Sequence, residues 1–245
     1  MREKLITTNY TVRTDGRAQF RAAVVSDTHE AEPGPIIEAV RKIAPDIIFL
    51  PGDIVEAKTP LSAALHDGAK SRAAYELLRG LCRIAPVYYG LGNHETCLTE
   101  RQREMIVKTD VHLLEDSYAR VKLRGQQLVI GAVTCPEHGD VEDASRRMLA
   151  DFRRQDCYRV LICHKPELYI HEFYDERDDI VLAGHAHGGQ WRFFGRGVFA
   201  PGQGLFPRYT RGFYGNLLVS AGAHNSESIP RINDPCEILS VEFVL

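Results

Sequence analysis

The chain has 245 residues and a net charge of −3 at neutral pH, and its 44% hydrophobic and 26% charged residues exclude a disordered or fibrous protein. This charge balance also excludes a whole-protein positive field of the kind that recruits nucleic acid. The first residues contain no apolar run of signal-peptide length, and no stretch approaches the roughly 20 apolar residues of a membrane span. Six scattered cysteines without a CxxC pair are typical of reduced thiols. We therefore expect a cytoplasmic protein without a membrane anchor.

Short apolar runs predict strands, and segments with a helical apolar spacing lie between the early ones. In chain order these are strand Phe20–Ser26, helix Pro35–Ile43, strand Asp46–Leu50, helix Ser71–Leu81, strand Pro86–Leu91, helix Thr99–Val107, strands Val111–Leu114, Arg120–Leu123 and Leu128–Val133, helix Asp143–Phe152, and strands Arg159–Cys163, Asp179–Ala183, Asn216–Ser220 and Glu237–Val244. Alternating strands and helices followed by hairpins predict a layered α/β architecture with mixed sheets. The absence of repeats and linkers favours one domain over residues 1–245. The Gly- and aromatic-rich stretch Gly195–Gly215 predicts an ordered functional loop.

Five of the predicted strands end in residue types that bind metal ions. These are Asp27-x-His29, Gly52-Asp53, Gly92-Asn93-His94, His164 and Gly184-His185-x-His187. In open α/β sheets, ligand sites form at the carboxyl ends of the strands, so the five loops are expected to converge. Taken singly, such residues are as often helix caps, turn residues or buried histidines; their order and shared location favour a metal site.

Carboxylate, imidazole and amide ligands suit divalent Mn, Fe or Zn, and the set is large enough for two ions. Asp27, His29, Asp53 and His187 are predicted to hold one ion, and Asp53, Asn93, His164 and His185 the other. Asp53 would then bridge ions about 3.5–4 Å apart, a spacing that suits displacement at phosphorus. The residual positive charge of two such ions attracts a phosphate anion.

The five ordered blocks resemble the signature of the calcineurin-like metallophosphoesterase superfamily: D-x-H, GD, GNH(E/D), a lone His and GH-x-H. The resemblance covers Asp27 to His187. It implies a four-layer α/β/β/α sandwich of two mixed sheets flanked by helices, and a hydroxide that bridges the ions as nucleophile. It also implies that His94 contacts the phosphate and acts as general acid for the leaving oxygen, a role that suits an imidazole.

Two further sequence features narrow the class of substrate that is expected. No arginine follows Gly52-Asp53 in the positions where the family's protein phosphatases grip phosphate, which disfavours that activity. The block Gly184–Gln190 (GHAHGGQ) resembles a bacterial branch of predicted phosphodiesterases. Several members of that branch carry an N-terminal membrane anchor, and some relatives cleave the pyrophosphate of a lipid-linked sugar nucleotide. Substrate contacts are expected from the late loops, at Arg208, Tyr209, Arg211, Tyr214 and His224.

The sequence therefore predicts a binuclear metal-dependent phosphoesterase that hydrolyses a small phosphodiester. The alternatives are a phosphomonoesterase, a pyrophosphatase acting on nucleotides or lipid-linked sugar nucleotides, and, less favoured, a nuclease. An alternative of another class is a non-catalytic scaffold of the same fold, against which the complete ligand set argues. No nucleic-acid partner is expected, because no basic groove interleaved with aromatic residues is evident.

Overall fold

Two six-stranded β-sheets form the centre of the structure, a computed structural model that describes residues 4–65, 71–136, 143–226 and 229–245. The strands are β1 (Leu5–Arg13), β2 (Phe20–Val24), β3 (Ile47–Pro51), β4 (Val87–Gly90), β5 (His112–Leu114), β6 (Ser117–Leu123), β7 (Gln126–Val133), β8 (Tyr158–Cys163), β9 (Ile180–Ala183), β10 (Arg192–Phe193), β11 (Arg196–Gly197), β12 (Phe199–Ala200), β13 (Gly204–Leu205), β14 (Gly212–Tyr214), β15 (Leu217–Val219) and β16 (Cys236–Val244). The helices are α1 (Pro33–Ile43), α2 (Pro60–Leu65), α3 (Arg72–Cys82), α4 (Glu100–Val107), α5 (Asp143–Phe152) and α6 (Pro166–Leu168), which runs on into a π-helical turn, Tyr169–Phe173.

Both sheets are mixed, as predicted. The first has the order β1-β16-β2-β3-β4-β5, in which β2 to β5 are parallel and β16 is antiparallel to β2. The second has the order β14-β15-β9-β8-β7-β6, in which β7, β8, β9 and β15 are parallel and the outer strands antiparallel. The parallel strands in each sheet end at a common edge, and these edges carry the predicted metal ligands.

Local sequence signals explain where several elements begin and end. Helix α1 has proline in its first turn and ends at Ala44, whose φ of 51° breaks the helical run. At the start of α4 the Thr99 hydroxyl accepts a hydrogen bond from the backbone of Gln102, closing a capping box. The turn between β6 and β7 is made by Arg124 and Gly125, both with positive φ, as a tight hairpin requires.

Three apolar clusters separate four layers. Helices α1, α3 and α4 pack on the outer face of the first sheet through residues such as Val40, Leu78 and Ile106. The inner faces of the two sheets share one core, to which Phe49 and Ile162 contribute from opposite sheets. Helix α5 covers the outer face of the second sheet. This is the predicted four-layer α/β/β/α sandwich, and the shared core supports the single domain, which stays a prediction.

The structure adds elements that the sequence reading lacked. Strand β1, Leu5–Arg13, pairs with β16 at the edge of the first sheet, and alternate residues along it are more and less exposed. That alternation is the signal of a half-buried strand. The stretch Gly195–Gly215, predicted as an ordered loop, contains short paired strands. No helix among the described residues is long and apolar enough to cross a membrane.

Candidate metal centre

The predicted ligands meet where the carboxyl-end edges of the two sheets come together. In each of three groups the candidate ligand atoms lie within 4.8 Å of one another: Asp27, His29 and His187; His29, Asp53 and His94; and Asp53, His164 and His185. A hydrogen bond of 2.5 Å from His164 Nδ1 to the carbonyl oxygen of Pro51 joins the end of β8 to the end of β3. Loops from separate sheets thus converge, as strand-end reasoning predicts.

Asp53 is at the centre of the cluster. Its Oδ2 lies 3.2 Å from His164 Nε2 and 3.9 Å from His29 Nε2. The amide oxygen of Asn93 lies 3.2 Å from the same His164 Nε2. Asp53 is the carboxylate in two of the three groups, which is the arrangement expected of a ligand shared by two ions.

Asp27 and His187 form the other side of the cluster. His187 Nε2 lies 3.8 Å from Asp27 Oδ1, and the same oxygen accepts the backbone N–H of His185 at 2.9 Å. The rings of His29 and His187 stack with centroids 5.3 Å apart. Asp27 therefore fixes the start of the GH-x-H segment as well as offering a ligand oxygen.

The backbone at the predicted ligands is unusual. The non-glycine residues with positive φ include Asp27, His29, Asp53, His185 and His187. L-residues adopt this region infrequently and at a cost, and such residues cluster at functional sites, where the surrounding structure holds them. The same sharp turns aim all these side chains into one small volume.

Adjacent glycines make room for the two aspartates. A Cβ at Gly92 would lie 2.1 Å from Asp53 Oδ1, and a Cβ at Gly184 would lie 2.4 Å from Asp27 Oδ2. Because neither distance is physically possible, the glycines of the GN and GH blocks are required by close packing against the ligands.

Glu95, which follows His94, is a functional residue that the sequence reading missed. Its carboxylate is fully buried and accepts five hydrogen bonds. The donors are the backbone N–H groups of Asp53 (2.9 Å), Ile54 (2.6 Å), Val55 (2.9 Å) and Gly92 (2.7 Å) and the Tyr89 hydroxyl (2.5 Å). Glu95 thereby holds the loop that carries Asp53. The GNHE block contains this residue, but the sequence does not show where its partners are.

Glu56 is a second missed residue. One carboxylate oxygen lies 2.6 Å from His29 Nδ1 and the other 2.8 Å from His94 Nδ1. Burial raises the pKa of this carboxyl group, but the hydrogen bonds from the two imidazoles outweigh it and lower the pKa to about 2. Glu56 is therefore ionised and orients both rings with Nε2 toward Asp53, in the manner of carboxylates that support metal-binding histidines.

The charges of the central groups suit cation binding. Burial acts to raise the pKa of Asp53, yet His164 and the neighbouring imidazoles hold it well below its usual range. Burial lowers the pKa values of His185 and His187 well below the ordinary value, so these rings are neutral. Burial also acts to lower the pKa of His164, but the charges of Asp53 and Asp27 raise it well above the ordinary value, so this ring holds a proton that a bound cation would displace. An ionised carboxylate and neutral imidazoles are the forms that bind a metal ion.

Two buried polar atoms in the cluster have no hydrogen-bond partner: Asp27 Oδ2 and His29 Nε2. Buried polar atoms are nearly always paired, so both atoms require a partner. A divalent cation satisfies a carboxylate oxygen and an imidazole nitrogen at once. The donor set of oxygens and nitrogens without thiolate therefore fits the predicted metal ions.

Arg231 is a third residue that the sequence reading missed. Its nearly buried guanidinium group donates to the carbonyl oxygens of Ala221 (2.7 Å) and His224 (2.9 Å). It also lies 3.1 Å from His187 Nδ1. The backbone N–H of His224 donates to the carbonyl oxygen of Asp27. Arg231 thus ties the late loop against the cluster, while the side chain of His224 is exposed at its margin.

Arg211, predicted as a phosphate contact, makes a different interaction. Its guanidinium group pairs with the fully buried carboxylate of Glu237 and lies 3.7 Å from Asp234. Among the described residues, none of its contacts joins it to the metal-ligand cluster. The structure gives Arg211 an anchoring role between β14 and β16, and a role in substrate binding stays a prediction.

The remaining predicted substrate residues lie on the loop beside the cluster. The guanidinium group of the exposed Arg208 lies 5.4 Å from the ring of Tyr209, and that ring meets Tyr214 edge-on at 5.2 Å. The Tyr214 hydroxyl accepts the backbone N–H of Thr210. The loop reaches the site at Gly202, where a Cβ would lie 3.2 Å from His185 Nε2. A role of these side chains in substrate binding stays a prediction.

Comparisons with known proteins agree with this geometry. Residues 20–196 match the sequence model of the calcineurin-like phosphoesterase family. The chain is 27% identical to uncharacterized protein YpbG of Bacillus subtilis (strain 168) over 192 residues, which are 76% of this chain and 67% of that one. It is 24% identical over 249 residues to the putative metallophosphoesterase F40B5.2 of Caenorhabditis elegans, covering 89% of this chain but only 47% of that one.

Two solved structures align with parts of this chain at low sequence identity. A hypothetical protein from Thermus thermophilus aligns with a TM-score of 0.47 and 16% identity, covering 83% of this chain and 75% of the other. The Thermus thermophilus sulfate thiohydrolase SoxB in complex with glycerol aligns with a TM-score of 0.46 and 12% identity, covering 82% and 51%. On the family match and the candidate metal centre together, this chain belongs to the calcineurin-like phosphoesterase family and is a metal-dependent hydrolase of phosphoric esters.

Proposed function

We propose that this chain is a phosphodiesterase with a binuclear metal centre. The position of Asp53 is the observation that carries the proposal, because its carboxylate is shared by two of the ligand groups. We assign Asp27, His29, Asp53 and His187 to one ion, and Asp53, Asn93, His164 and His185 to the other. When bound, such ions supply Lewis-acid charge for a phosphoryl oxygen and lower the pKa of water, whether they are Mn, Fe or Zn.

His94 is assigned as the general acid. Geometry alone also permits it as a ligand, since its Nε2 lies 3.9 Å from Asp53 Oδ2. Its side chain is 22% exposed, however, whereas that of His164 is fully buried and that of His29 is 3% exposed. A ring at the solvent side of the cluster is placed to reach a substrate.

The hydrogen bond to Glu56 sets which nitrogen of His94 faces the substrate. Nδ1 donates to the ionised carboxylate of Glu56, so a proton given to the leaving oxygen would come from Nε2. As the bond between phosphorus and the leaving oxygen breaks, this proton moves from Nε2 to that oxygen, which would otherwise leave as an alkoxide.

Carboxylates near the rim favour a diester over a monoester. Glu56 is 20% exposed beside His94, and Glu167, 16% exposed, has Oε1 3.5 Å from His185 Nε2. A phosphomonoester is largely a dianion at neutral pH, whereas a diester is a monoanion. Two carboxylates at the rim repel the dianion more strongly. The absence of an arginine after Gly52-Asp53 acts in the same direction.

The test is a comparison of two chromogenic substrates. Chelated protein is reloaded with Mn²⁺ and assayed with bis-p-nitrophenyl phosphate and with p-nitrophenyl phosphate. We expect a higher kcat/KM for the diester; a higher value for the monoester would replace the proposal with a phosphomonoesterase.

Two variants test the assigned residues in the same assay. His94→Ala should keep its metal and lose roughly 10²–10⁴-fold in turnover, the usual contribution of a general acid. Asp53→Ala should lose metal and activity together, and replacement of the exposed His171 should change neither. If His94→Ala lost as much metal as Asp53→Ala, the general-acid assignment would be wrong.

A further inference from the structure

Residues 180–226 contain no aspartate or glutamate but four arginines. Two of the four are occupied within the fold: Arg192 donates to Gly188 and Thr210, and Arg211 pairs with Glu237. Arg196 and Arg208 are exposed, and neither forms an ion pair with a described carboxylate. The exposed positive charge of this segment is therefore not paired with a carboxylate among the described residues.

Large apolar side chains are exposed among these arginines. Phe194 at the tip of the β10–β11 hairpin is fully exposed, Phe206 is 78% exposed and Leu205 is 72% exposed. Phe199, paired with Leu205 across β12 and β13, is also exposed. We use the name hairpin surface for Phe194, Arg196, Phe199, Leu205, Phe206 and Arg208. Clustered exposure of this kind marks an interaction site.

The two hairpins form one continuous surface. The backbone N–H of Phe206 donates to the carbonyl oxygen of Val198 at 2.8 Å, which joins the end of β13 to the segment after β11. A groove of about 460 Å³ between them is lined by Arg196, Phe206, Arg208 and Tyr214, among others. Positive and apolar side chains thus line the same groove.

We propose that the hairpin surface binds an anionic lipid bilayer. Phe194, Leu205 and Phe206 would enter the boundary between head groups and acyl chains, and Arg196 and Arg208 would contact the anionic head groups. Aromatic and apolar tips combined with arginine are the chemistry that binds a membrane interface, and positive charge gives preference for anionic lipids.

The charge and shape of the surface argue against other occupants. A second copy of this chain related by a two-fold axis would bring the arginines of both copies into one interface, and the hairpin surface offers no described carboxylate to compensate them. A peptide helix requires an apolar groove, whereas two arginines line this one, and Phe194 and Leu205 lie outside it. The hairpin that carries Leu205 also reaches the metal centre at Gly202, so a bilayer bound here would lie beside the site. The proposal does not depend on which phosphoester the chain hydrolyses.

Vesicle sedimentation tests the proposal. Full-length protein is mixed with vesicles of phosphatidylcholine alone and with vesicles that contain 30% phosphatidylglycerol. We expect binding to the anionic vesicles that weakens in 0.5 M NaCl, and at least tenfold weaker binding to the neutral ones. Replacing both Arg196 and Arg208 with Gln should weaken binding to anionic vesicles on the order of 30-fold, since each arginine near the surface contributes about fivefold.

The apolar tips are tested by Phe194→Ser and Phe206→Ser, each expected to weaken binding on the order of tenfold. Val107→Ser and Arg83→Gln are matched controls, because both residues are exposed on the helical layer outside the first sheet. Melting temperature and circular dichroism confirm that each variant is folded.

Three results would overturn the proposal. The first is wild-type protein that sediments with neither kind of vesicle. The second is binding that the control variants weaken as much as the hairpin-surface variants do. The third is wild-type protein that is dimeric by light scattering while Phe194→Ser or Phe206→Ser is monomeric, which would assign the surface to a second copy of the chain.

Discussion

The fully buried carboxylate of Glu95 accepts five hydrogen bonds, and its replacement by Gln isolates their contribution at constant shape. One oxygen accepts two backbone N–H groups; the other accepts two more and the Tyr89 hydroxyl. Whichever way the new amide turns, its NH₂ group faces two backbone N–H groups that have no acceptor. Because each orphaned buried donor costs about 1–3 kcal/mol, the expected loss in the free energy of unfolding is about 2–6 kcal/mol.

Urea unfolding followed by circular dichroism measures this loss. A cost of about 4 kcal/mol corresponds to a decrease in Tm of roughly 8–16 °C in a chain of this size. Tyr89→Phe removes one donor and leaves each oxygen with two others, so it should cost about 1 kcal/mol. Glu76→Gln, on the exposed side of α3, should change the stability by less than about 0.5 kcal/mol. The reasoning would be refuted if the free energy of unfolding of Glu95→Gln were within 1 kcal/mol of wild type, or if Glu95→Gln lost no more stability than Tyr89→Phe.

Other expected outcomes concern the site and the late segment. In Glu56→Gln the amide can accept a hydrogen bond from only one of His29 and His94, so metal affinity or kcat should fall about 10–100-fold. Calorimetry measures the affinity and steady-state kinetics the kcat. If both were unchanged, Glu56 would not orient the two rings. Arg211→Met leaves the buried carboxylate of Glu237 without its ion-pair partner and should lower the free energy of unfolding in urea by roughly 3 kcal/mol. A raised KM with unchanged stability would instead support the predicted contact between Arg211 and phosphate. Burial raises the pKa of Asp234 to about 6, so the carboxyl group of Asp234 binds its proton more tightly in the native state than in the unfolded chain. Stability should therefore fall by at most about 3 kcal/mol between about pH 4 and pH 6, and parallel curves for wild type and Asp234→Asn would contradict this.

The convergence of the candidate ligands was predictable because each block of them follows its own strand. Asp27, Asp53 and His164 come directly after apolar runs, and parallel strands bring their carboxyl ends to one edge. The structure confirms that edge and the four-layer sandwich around it. This reasoning depends on local patterns and on sheet geometry, both of which a single sequence contains.

The supporting residues were not predictable in the same way. Glu56 hydrogen-bonds to the side chains of His29 and His94, about 30 to 40 positions away, and Glu95 accepts from distant backbone N–H groups such as that of Asp53. A local sequence pattern does not indicate such partners. Arg231 likewise reaches His187 from a loop 44 residues later. The sequence predicts that Arg211 binds phosphate because it lies on the Gly195–Gly215 stretch and a guanidinium group can grip phosphate oxygens, whereas its partner Glu237 is on a strand 26 residues away.

The measurement that tests the central claim most directly is the number of metal ions bound per chain. Chelated protein is titrated with Mn²⁺ by calorimetry, and the bound metal is counted by elemental analysis after gel filtration. We expect about two ions per wild-type chain, about one for Asp27→Asn, and a loss of both for Asp53→Asn, since that carboxylate is shared. One ion in the wild type, or two retained in Asp53→Asn, would contradict the binuclear centre.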